Sequence, residues 1–375
     1  MRGILLAICA GVLCAILIAG LWPLNPIPSN EVSPLADQNG LAFGRDGTIY
    51  SPNAFKIAAP GEDSFCSLDI WLIPSGGVVK TSVTILAFYT PDNPMQFRLK
   101  QYLDELLVQR DYRDEQNHLK TAEIKIERAF REKEKILFTI TSSPKGTVVY
   151  GNGEFRESSS RFGLTCESFA GQLIVGSSPV SYNTWQGKLL GLAFFHQSLS
   201  MEQASRHYRA WSQGLNPVDF QNERVFALYT FEQGSGRTVH DGAGSSPDLY
   251  IPGTFRILHK KFLTPPWEEF SFDRSYGWDV LVNVAGFIPL GFFFYAFFAW
   301  DRSRNWAAVA TIVLGGLTSL TIEVLQVFLP PRSSGVTDII TNTLGTIVGV
   351  ILCRWRPVQD SLDNLRQTFR TPGNG

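Results

Sequence analysis

The sequence lacks an excess of charge of either sign. Its 375 residues contain 33 Lys+Arg and 34 Asp+Glu, which gives a formal net charge of −1. A nucleic-acid-binding protein would carry a basic excess, so that class is excluded. Catalytic spacings are missing as well, because the chain has no zinc-ligand spacing, no HExxH motif and no nucleophile elbow. We therefore expect neither a metal centre nor a cofactor.

Charge is also missing from four long stretches of the chain. Gly3 to Asn30 and Val280 to Trp300 carry no charged residue, Asn305 to Pro331 carries only Glu323, and Ser333 to Cys353 carries only Asp338. About 20 apolar residues at a rise of about 1.5 Å suffice to cross a bilayer. The runs predict four membrane-spanning helices, at about 4–22, 279–300, 305–329 and 336–353. A purely soluble enzyme and a disordered chain are excluded.

The first apolar run, Ile4 to Leu21, is open to two interpretations, an uncleaved anchor or a cleaved secretory signal. The run exceeds the core of about 7 to 15 residues that signals have, and no A-x-A cleavage pattern follows it. We therefore expect an uncleaved anchor at 1–24.

Basic residues predict the orientation of the spans, because they concentrate on the cytoplasmic side. With four spans, one side receives Arg2, Arg302, Arg304, Arg354, Arg356, Arg366 and Arg370. Both termini are therefore predicted inside, with residues 356–375 as a cytoplasmic tail. The domain between the first two spans, residues 36–265, is then predicted outside the cytoplasmic membrane.

Short runs that are alternating or continuously apolar recur within residues 36–265, as strands do. Short runs of this kind are separated by turn sequences such as Pro91-Asp92-Asn93-Pro94 and Gly151-Asn152-Gly153. They predict strands at 68–72, 82–89, 101–107, 123–126, 136–141, 147–150, 172–175 and 189–195. Only 200–212 has a helical pattern, with Ser200 as its cap. The domain is predicted to be an antiparallel sandwich.

These segments resemble the concanavalin A-like lectin/laminin-G family. The resemblance is carried by FCSLDIWLIP at 65–74, GTVVYGNGE at 146–154, FAGQLIVGS at 169–177 and the stretch Trp185–Trp211. The opening strands of that family resemble residues 227–250, which come last here. The order implies an all-β jelly-roll sandwich that is circularly permuted, with its two ends side by side. The family also implies glycan binding.

Catalytic and binding residues within the sandwich are weakly marked. Glu123 and Glu127 share one strand face, as the carboxylates of some glycoside hydrolases of this fold do, but Lys125 lies between them. A solvated, charge-paired face is the preferred interpretation, and a binding module is preferred to an enzyme. Trp185, Tyr182 and Asp241 are candidate contact residues, and Asp241 is also a candidate calcium ligand in a glycine turn.

Cysteine is scarce, and only Cys66 and Cys166 fall in the sandwich. Two interpretations stay open, a disulfide in an oxidising compartment or two buried thiols. Cys9, Cys14 and Cys353 lie in the apolar spans and are interpreted as small hydrophobic residues.

The membrane half carries polar residues at defined positions. They are Asp279, Asn283, Glu323, Gln326, Arg332, Asp338 and Asn342, with Pro289, Gly291, Gly345 and Gly349 as helix-packing residues. The pattern over 276–355 resembles the VanZ-like family of bacterial membrane proteins. That resemblance implies a link to glycopeptide (teicoplanin-type) resistance, with no agreed reaction.

The predicted threading places this polar cluster in the outer half of the bilayer. A charge in the apolar region costs at least roughly 2.5 kcal/mol, so a cluster from three helices indicates function. Simpler interpretations exist for most members: Asp279 and Asp338 cap helices, and the asparagines join helices. Glu323 has no helix end to cap and needs a partner, for which Arg332 and Gln326 are candidates.

The sequence thus predicts a multi-domain membrane protein of the bacterial envelope, with a four-helix α transmembrane unit plus an all-β concanavalin A-like sandwich. We expect contact with the lipid bilayer, glycan binding by the sandwich, and a lipid-linked precursor in the polar pocket. Two alternatives stay open. One is an intramembrane enzyme or carrier that uses Glu323 as acid or base, and the other is an envelope assembly factor that binds a protein partner.

Overall fold

The computed structural model describes residues 2–56, 65–74, 80–114, 116–130, 134–214, 223–232, 236–271 and 274–360. The chain forms two compact units. One unit contains both ends of the chain, Met1–Ile27 and Lys260–Gly375, and the other is Pro28–His259.

The helices of the described chain are α1 Arg2–Leu21, α2 Met201–Gln213, α3 Pro266–Glu269, α4 Arg274–Phe298, α5 Arg304–Gln326 and α6 Val336–Arg354. In the part that the structure describes, four of them, α1, α4, α5 and α6, are long and apolar enough to cross a membrane. The four predicted membrane helices are confirmed, although α4 begins five residues earlier than the predicted span and α5 ends three residues earlier.

Glycines set how closely α4 and α6 approach. A Cβ on Gly345 would lie 2.1 Å from the carbonyl oxygen of Val284, and one on Gly349 would lie 2.2 Å from that of Ile288. On the facing helix, a Cβ on Gly291 would lie 2.1 Å from the carbonyl oxygen of Thr346. The two backbones therefore touch where side chains are missing, as small residues allow between membrane helices.

The strands all lie in the second unit. They are β1 Val32–Pro34, β2 Leu41–Phe43, β3 Ile49–Tyr50, β4 Ser67–Ile73, β5 Val83–Tyr89, β6 Phe97–Tyr102, β7 Glu105–Arg113, β8 Leu119–Ile126, β9 Ile136–Ser143, β10 Gly146–Gly151, β11 Glu154–Ser159, β12 Gln172–Val175, β13 Gly187–Phe195, β14 Val225–Tyr229, β15 Thr238–Val239 and β16 Leu249–Tyr250.

These strands form two antiparallel sheets. One has the order β1-β2-β13-β4-β9-β10-β11, with β14 also paired to β13, and the other has the order β15-β16-β3-β12-β5-β6-β7-β8. Leu68 and Phe194 from the first sheet and Phe88 and Leu99 from the second belong to one fully buried core. The predicted all-β sandwich is confirmed.

The two ends of the sandwich meet, as the permuted order predicted. Ser29 forms an antiparallel bridge with Thr254, and the backbone N–H of Phe255 donates to the carbonyl of Pro28 at 2.9 Å. A domain inserted between two membrane helices requires this arrangement, because its entry and exit must lie together.

The helix α2 packs on the outer face of the first sheet. Ser200 and Gln203 form a capping box at its start, and Gly214 ends it in the left-handed conformation at φ 64°. Trp211 on α2 and Trp71 on β4 belong to one buried apolar cluster. The helix predicted at 200–212 is confirmed.

One predicted strand, 101–107, is wrong. A turn at Leu103 and Asp104 divides this segment between β6 and β7. Leu103 adopts φ 53°, a conformation that glycine or asparagine usually marks in a sequence. The strand β11 was missed because most of its residues are exposed and give no apolar signal.

Candidate functional site

A cavity of about 280 Å³ lies among α1, α4, α5 and α6 in the membrane unit. It is lined by Ile16, Ala19, Gly20, Val282, Asn283, Gly286, Phe287, Ile322, Glu323, Gln326, Arg332, Asp338 and Asn342. The structure therefore brings the predicted polar residues to one site, except for Asp279, which is exposed and does not line the cavity.

Glu323 is the most buried ionisable group of the cavity, at 1% exposure. Its Oε2 accepts a hydrogen bond from the backbone N–H of Gly335 at 2.8 Å, which joins α5 to the residue before α6. The sequence offered Arg332 or Gln326 as the partner of Glu323, and the structure gives the Gly335 backbone and the Ser334 hydroxyl instead. A backbone donor leaves no side-chain signature in a sequence, so the Gly335 contact was not predictable.

Arg332 and Gln326 both bind the carboxyl end of α1. Arg332 donates through Nε to the carbonyl of Trp22 at 2.8 Å and through Nη2 to that of Ala19 at 2.9 Å. Gln326 donates through Nε2 to the carbonyl of Gly20 at 2.8 Å. The last carbonyls of a helix have no partner within the helix, and a cation there also suits the helix dipole. The first helix is therefore held to the other three at this end.

Asn283 and Asn342 link the helices on the other side of the cavity. Asn283 on α4 donates through Nδ2 to Oδ1 of Asp338 on α6 at 2.8 Å. Asn342 on α6 donates to the hydroxyl of Ser319 on α5 at 2.9 Å. Asp338 thus receives a side-chain partner from a neighbouring helix rather than serving only as a cap.

Two amide oxygens of the cavity accept no hydrogen bond from the described residues. Oε1 of Gln326 and Oδ1 of Asn342 are buried and have no hydrogen-bond partner among the described residues. Both residues line the cavity, and their exposure is only 6% and 5%. A buried acceptor without a donor costs about 1–3 kcal/mol, so such atoms call for a ligand or water.

Lys260 is a member of this region that the sequence analysis did not single out. Its Nζ donates to the carbonyls of Gln326 at 2.6 Å and Leu329 at 2.7 Å, where α5 ends. Burial lowers the pKa of Lys260 to about 8, although the negative charge of Glu323 acts in the opposite direction. The contact joins residues 66 positions apart, and no local pattern marks it.

Glu269 completes the entrance to α6. Its Oε2 accepts from the backbone N–H of Thr337 at 3.1 Å, at the first turn of the helix. A Cβ on Gly335 would lie 1.6 Å from Oε1 of Glu269, so any larger residue at position 335 would displace the Glu269 carboxylate from its place beside Thr337.

The candidate contact residues of the sandwich are structural. Trp185 is fully buried and donates to Gln101 at 2.9 Å, and Tyr182 donates to Asp46 at 2.7 Å. Asp241 accepts four backbone N–H groups with its two oxygens, which makes it a turn residue. Lys125 forms an ion pair with Glu105 at 2.7 Å on the exposed face of β8.

Cys66 and Cys166 form a disulfide, with their Cα atoms 4.9 Å apart. Nδ1 of His196 lies 3.6 Å from one sulfur and 3.5 Å from the other, so the three residues have the spacing of a metal site. Because the sulfurs are bonded to each other, they offer no thiolate to a metal.

A cleft of about 450 Å³ lies on the outer face of the sandwich beside α2. Two tryptophans line its wall and amide side chains surround them. The lining residues are Gln38, Asn39, Trp71, Lys135, Leu190, Trp211, Ser212, Gln213, Gly214, Thr230 and Glu232. Indole rings beside amides combine apolar contact with hydrogen bonding.

Solved structures that are similar to the chain include the following three. The receptor-binding domain of botulinum neurotoxin D is 14% identical, with a TM-score of 0.35 over 49% of this chain and 47% of that chain. A candidate carbohydrate-binding protein from Bacteroides ovatus is 14% identical, with a TM-score of 0.40 over 60% and 63%. The SAP-like pentraxin of Limulus polyphemus is 13% identical, with a TM-score of 0.32 over 48% and 79%. The chain spans about half the length of the neurotoxin domain.

Among curated proteins, none matches the chain. A family model, VanZ/LLP1, matches residues 225–357, about a third of the chain, and this range includes α4, α5 and α6 with the polar residues of the cavity. The resemblance seen in the sequence is confirmed. Residues 225–357, which contain the last three strands of the sandwich and α4 to α6, are therefore similar to the VanZ/LLP1 family.

Proposed function

We propose that this protein serves the bacterial cell envelope by binding an amphiphilic envelope component, such as a lipid-linked precursor, in its membrane cavity. The sandwich binds glycan or another envelope polymer. The observation that carries the proposal is the cavity itself, where polar side chains from three membrane helices converge.

The cavity supports this function because hydrogen bonds between helices account for only part of its buried polar groups, and Oε1 of Gln326 and Oδ1 of Asn342 have no partner among the described residues. Buried ionisable groups inside a membrane unit are expensive, and they mark ligand or ion pathways. Helix contact alone is already supplied by Gly291, Gly345 and Gly349. The apolar side chains of Ile16, Val282 and Phe287 line the same space. A cavity with polar and apolar walls suits a ligand that has both a head group and a chain.

We place the protein in the cytoplasmic membrane with both termini in the cytoplasm. Residues 1–24 are the anchor, 36–265 the extracytoplasmic domain, 276–355 the membrane segment and 356–375 the cytoplasmic tail. Exposed tryptophans support this threading: Trp22 and Trp278 lie at the ends of α1 and α4 that face outward, and Trp306 and Trp355 lie at the inner ends of α5 and α6. Amphipathic rings prefer these interfaces. The cavity then opens in the outer half of the bilayer.

The cleft beside α2 supports glycan binding by the sandwich. Asn39 and Gln213 are exposed at its rim, and Trp71 and Trp211 form its wall. Sugars present hydroxyl groups along their edges and apolar C–H faces, and amides and indoles match these two surfaces.

The test is complementation of a deletion strain in the native host, under envelope stress and glycopeptide challenge. We expect Glu323→Gln to reach the normal membrane level and yet leave the strain as sensitive as the deletion, whereas Asp279→Asn restores protection. Full protection by Glu323→Gln at the normal level would overturn a functional cavity. Loss of protection in Asn39→Ala/Gln213→Ala would assign part of the function to the cleft.

A further inference from the structure

Carboxylates outnumber cations around the cavity, and this excess restricts what it binds. Glu323 and Asp338 are two carboxylates on facing helices, and both line the cavity. A third carboxylate, Glu269, repels both, whereas the attracting cations are Lys260 for Glu323 and Arg332 for Asp338.

Among the described residues, neither Glu323 nor Asp338 forms a salt bridge. Their hydrogen-bond donors are neutral: the Gly335 backbone and the Ser334 hydroxyl for Glu323, and the Asn283 amide for Asp338.

The two cations near these carboxylates, Arg332 and Lys260, form their hydrogen bonds with helix ends. Arg332 donates to two carbonyls at the end of α1, and Lys260 donates to two carbonyls at the end of α5. Each cation therefore hydrogen-bonds a helix end, and it acts on Glu323 or Asp338 only through space. Glu323, Asp338 and Glu269 exceed these two cations by one charge, so a cation from outside the chain would complete the site.

The polar atoms of the cavity that have no hydrogen-bond partner also favour a ligand that donates hydrogen bonds. Oε1 of Gln326 and Oδ1 of Asn342 are acceptors, more than nine-tenths buried, without a donor among the described residues. Amide oxygens and carboxylates accept hydrogen bonds and cannot donate them. The charged donor that the lining could offer a phosphate is Arg332, and two of its nitrogens already bind carbonyls at the end of α1.

The size of the cavity points beyond a bare metal ion. Its volume of about 280 Å³ is several times the roughly 30 Å³ that one water occupies in the liquid. Val282, Phe287 and Ile322 line it with apolar surface, which a metal ion would not use. An ammonium group combines up to three N–H donors with a positive charge, and an attached carbon chain fills the apolar part.

We propose that the cavity binds the ammonium head of a primary-amine amphiphile, with Glu323 and Asp338 as its counter-ions and Gln326 and Asn342 as hydrogen-bond acceptors. This inference rests on the proposed function, because it names the ligand class of the same cavity. Within the proposed class of amphiphiles, the inference selects an amine as the group that the cavity binds. The phosphate and the neutral sugar of a lipid-linked precursor would not be bound by the carboxylates.

The test is equilibrium binding of radiolabelled octylamine to the full-length protein in a neutral detergent at pH 7. We expect saturable binding that excess unlabelled octylamine displaces, and that the same concentrations of octanol and octyl phosphate leave in place. Glu323→Gln is expected to weaken binding about tenfold or more, since it removes the charge and keeps the shape. Asp338→Asn provides a second, independent loss of charge.

The matched control is Asp279→Asn, which removes an exposed carboxylate that does not line the cavity. Its affinity for octylamine should stay within about twofold of the wild type, because an exposed charge interacts only weakly with a bound ligand. Equal affinity of Glu323→Gln, Asp338→Asn and the wild type would overturn the inference. Binding of radiolabelled octyl phosphate or octanol in place of octylamine would overturn the amine and keep the amphiphile site. Failure of all three probes would count against the proposed function as well.

Discussion

Glu323 and Gly335 are joined by one hydrogen bond, from the backbone N–H of Gly335 to Oε2 of Glu323 at 2.8 Å. The bond fixes a buried carboxylate at the point where the chain enters α6, beside the carboxylate of Glu269 that receives the N–H of Thr337. Glu323 forms no salt bridge among the described residues, and Lys260 acts on it only through space, so the contact positions the carboxylate without neutralising it. This relationship is the basis of our proposal that the cavity binds a ligand.

The close approach of α4 and α6 predicts that Gly345→Ala destabilises the membrane unit. The new Cβ would lie 2.1 Å from the Val284 carbonyl oxygen, so the helices must separate, at a cost of about 1–3 kcal/mol for overpacking. Gly11→Ala in α1 is the matched control, because nothing lies within 4 Å of its Cβ. Thermal unfolding in detergent measures both, and equal midpoints would contradict the packing.

The contacts of Arg332 predict that Arg332→Met loosens α1. The variant loses two hydrogen bonds from a charged group, each worth about 1.5–3 kcal/mol. We expect faster hydrogen exchange in the last turn of α1, measured by mass spectrometry. Arg302→Met, at an exposed position, is the control and should leave exchange in α1 unchanged. Unaltered exchange in Arg332→Met would show that α1 is held in another way.

A buried histidine predicts how the stability of the sandwich depends on pH. His207 on α2 lies between Asp69 at 2.6 Å and Glu223 at 2.5 Å. Burial lowers the pKa of His207, but the charges of Asp69 and Glu223 and the hydrogen bonds to them outweigh it and raise the pKa above its usual 6.5. This stabilisation is complete below the unfolded pKa and is lost as pH rises through the folded pKa.

We therefore expect the free energy of unfolding of the sandwich to fall as pH rises above 6.5, by up to about 1.4 kcal/mol per pH unit. In His207→Gln that slope should disappear, and the sandwich should be less stable at pH 6. Urea unfolding of the full-length protein at pH 6 to 9 measures the slope. Identical slopes in the variant and the wild type would assign the pH dependence to other groups.

The disulfide predicts a large loss of stability in Cys66→Ser/Cys166→Ser. The bond joins residues 100 positions apart, and a loop of that length is worth up to about 4.7 kcal/mol in the chain-entropy account. Urea unfolding measures the loss, and Cys14→Ser, an exposed free cysteine, is the control. Alkylation of all five cysteines in unfolded, unreduced protein would contradict both the bond and an oxidising compartment for the sandwich.

The sequence predicted the parts of the fold that leave a regular pattern. The charge-free runs marked the four membrane helices because a bilayer excludes charge over about 20 residues. Alternation marked strands such as β4, where Leu68 and Ile70 face the core and Asp69 and Trp71 face α2. The exposed strand β11 and the turn at Leu103 have no such pattern and were missed or misassigned.

For the site, the sequence identified the residues and misassigned their contacts. Seven polar residues were predicted to converge, and all of them except Asp279 line one cavity. One partner of Glu323 is a backbone group, and Arg332 binds a carbonyl 313 positions away at Ala19. Lys260, which caps α5, lies in no motif. Such contacts depend on how the helices pack, and spacing within one helix does not encode them.

Mass spectrometry of the lipids that the purified protein retains tests whether the cavity at Glu323 holds an amphiphile. Full-length wild type, Glu323→Gln and Asp279→Asn are purified from native membranes in the same mild detergent and extracted in parallel. We expect one amphiphile class to be retained near one molecule per chain by the wild type and Asp279→Asn, and to be depleted in Glu323→Gln. Equal amounts of the same lipids in all three proteins would contradict this expectation.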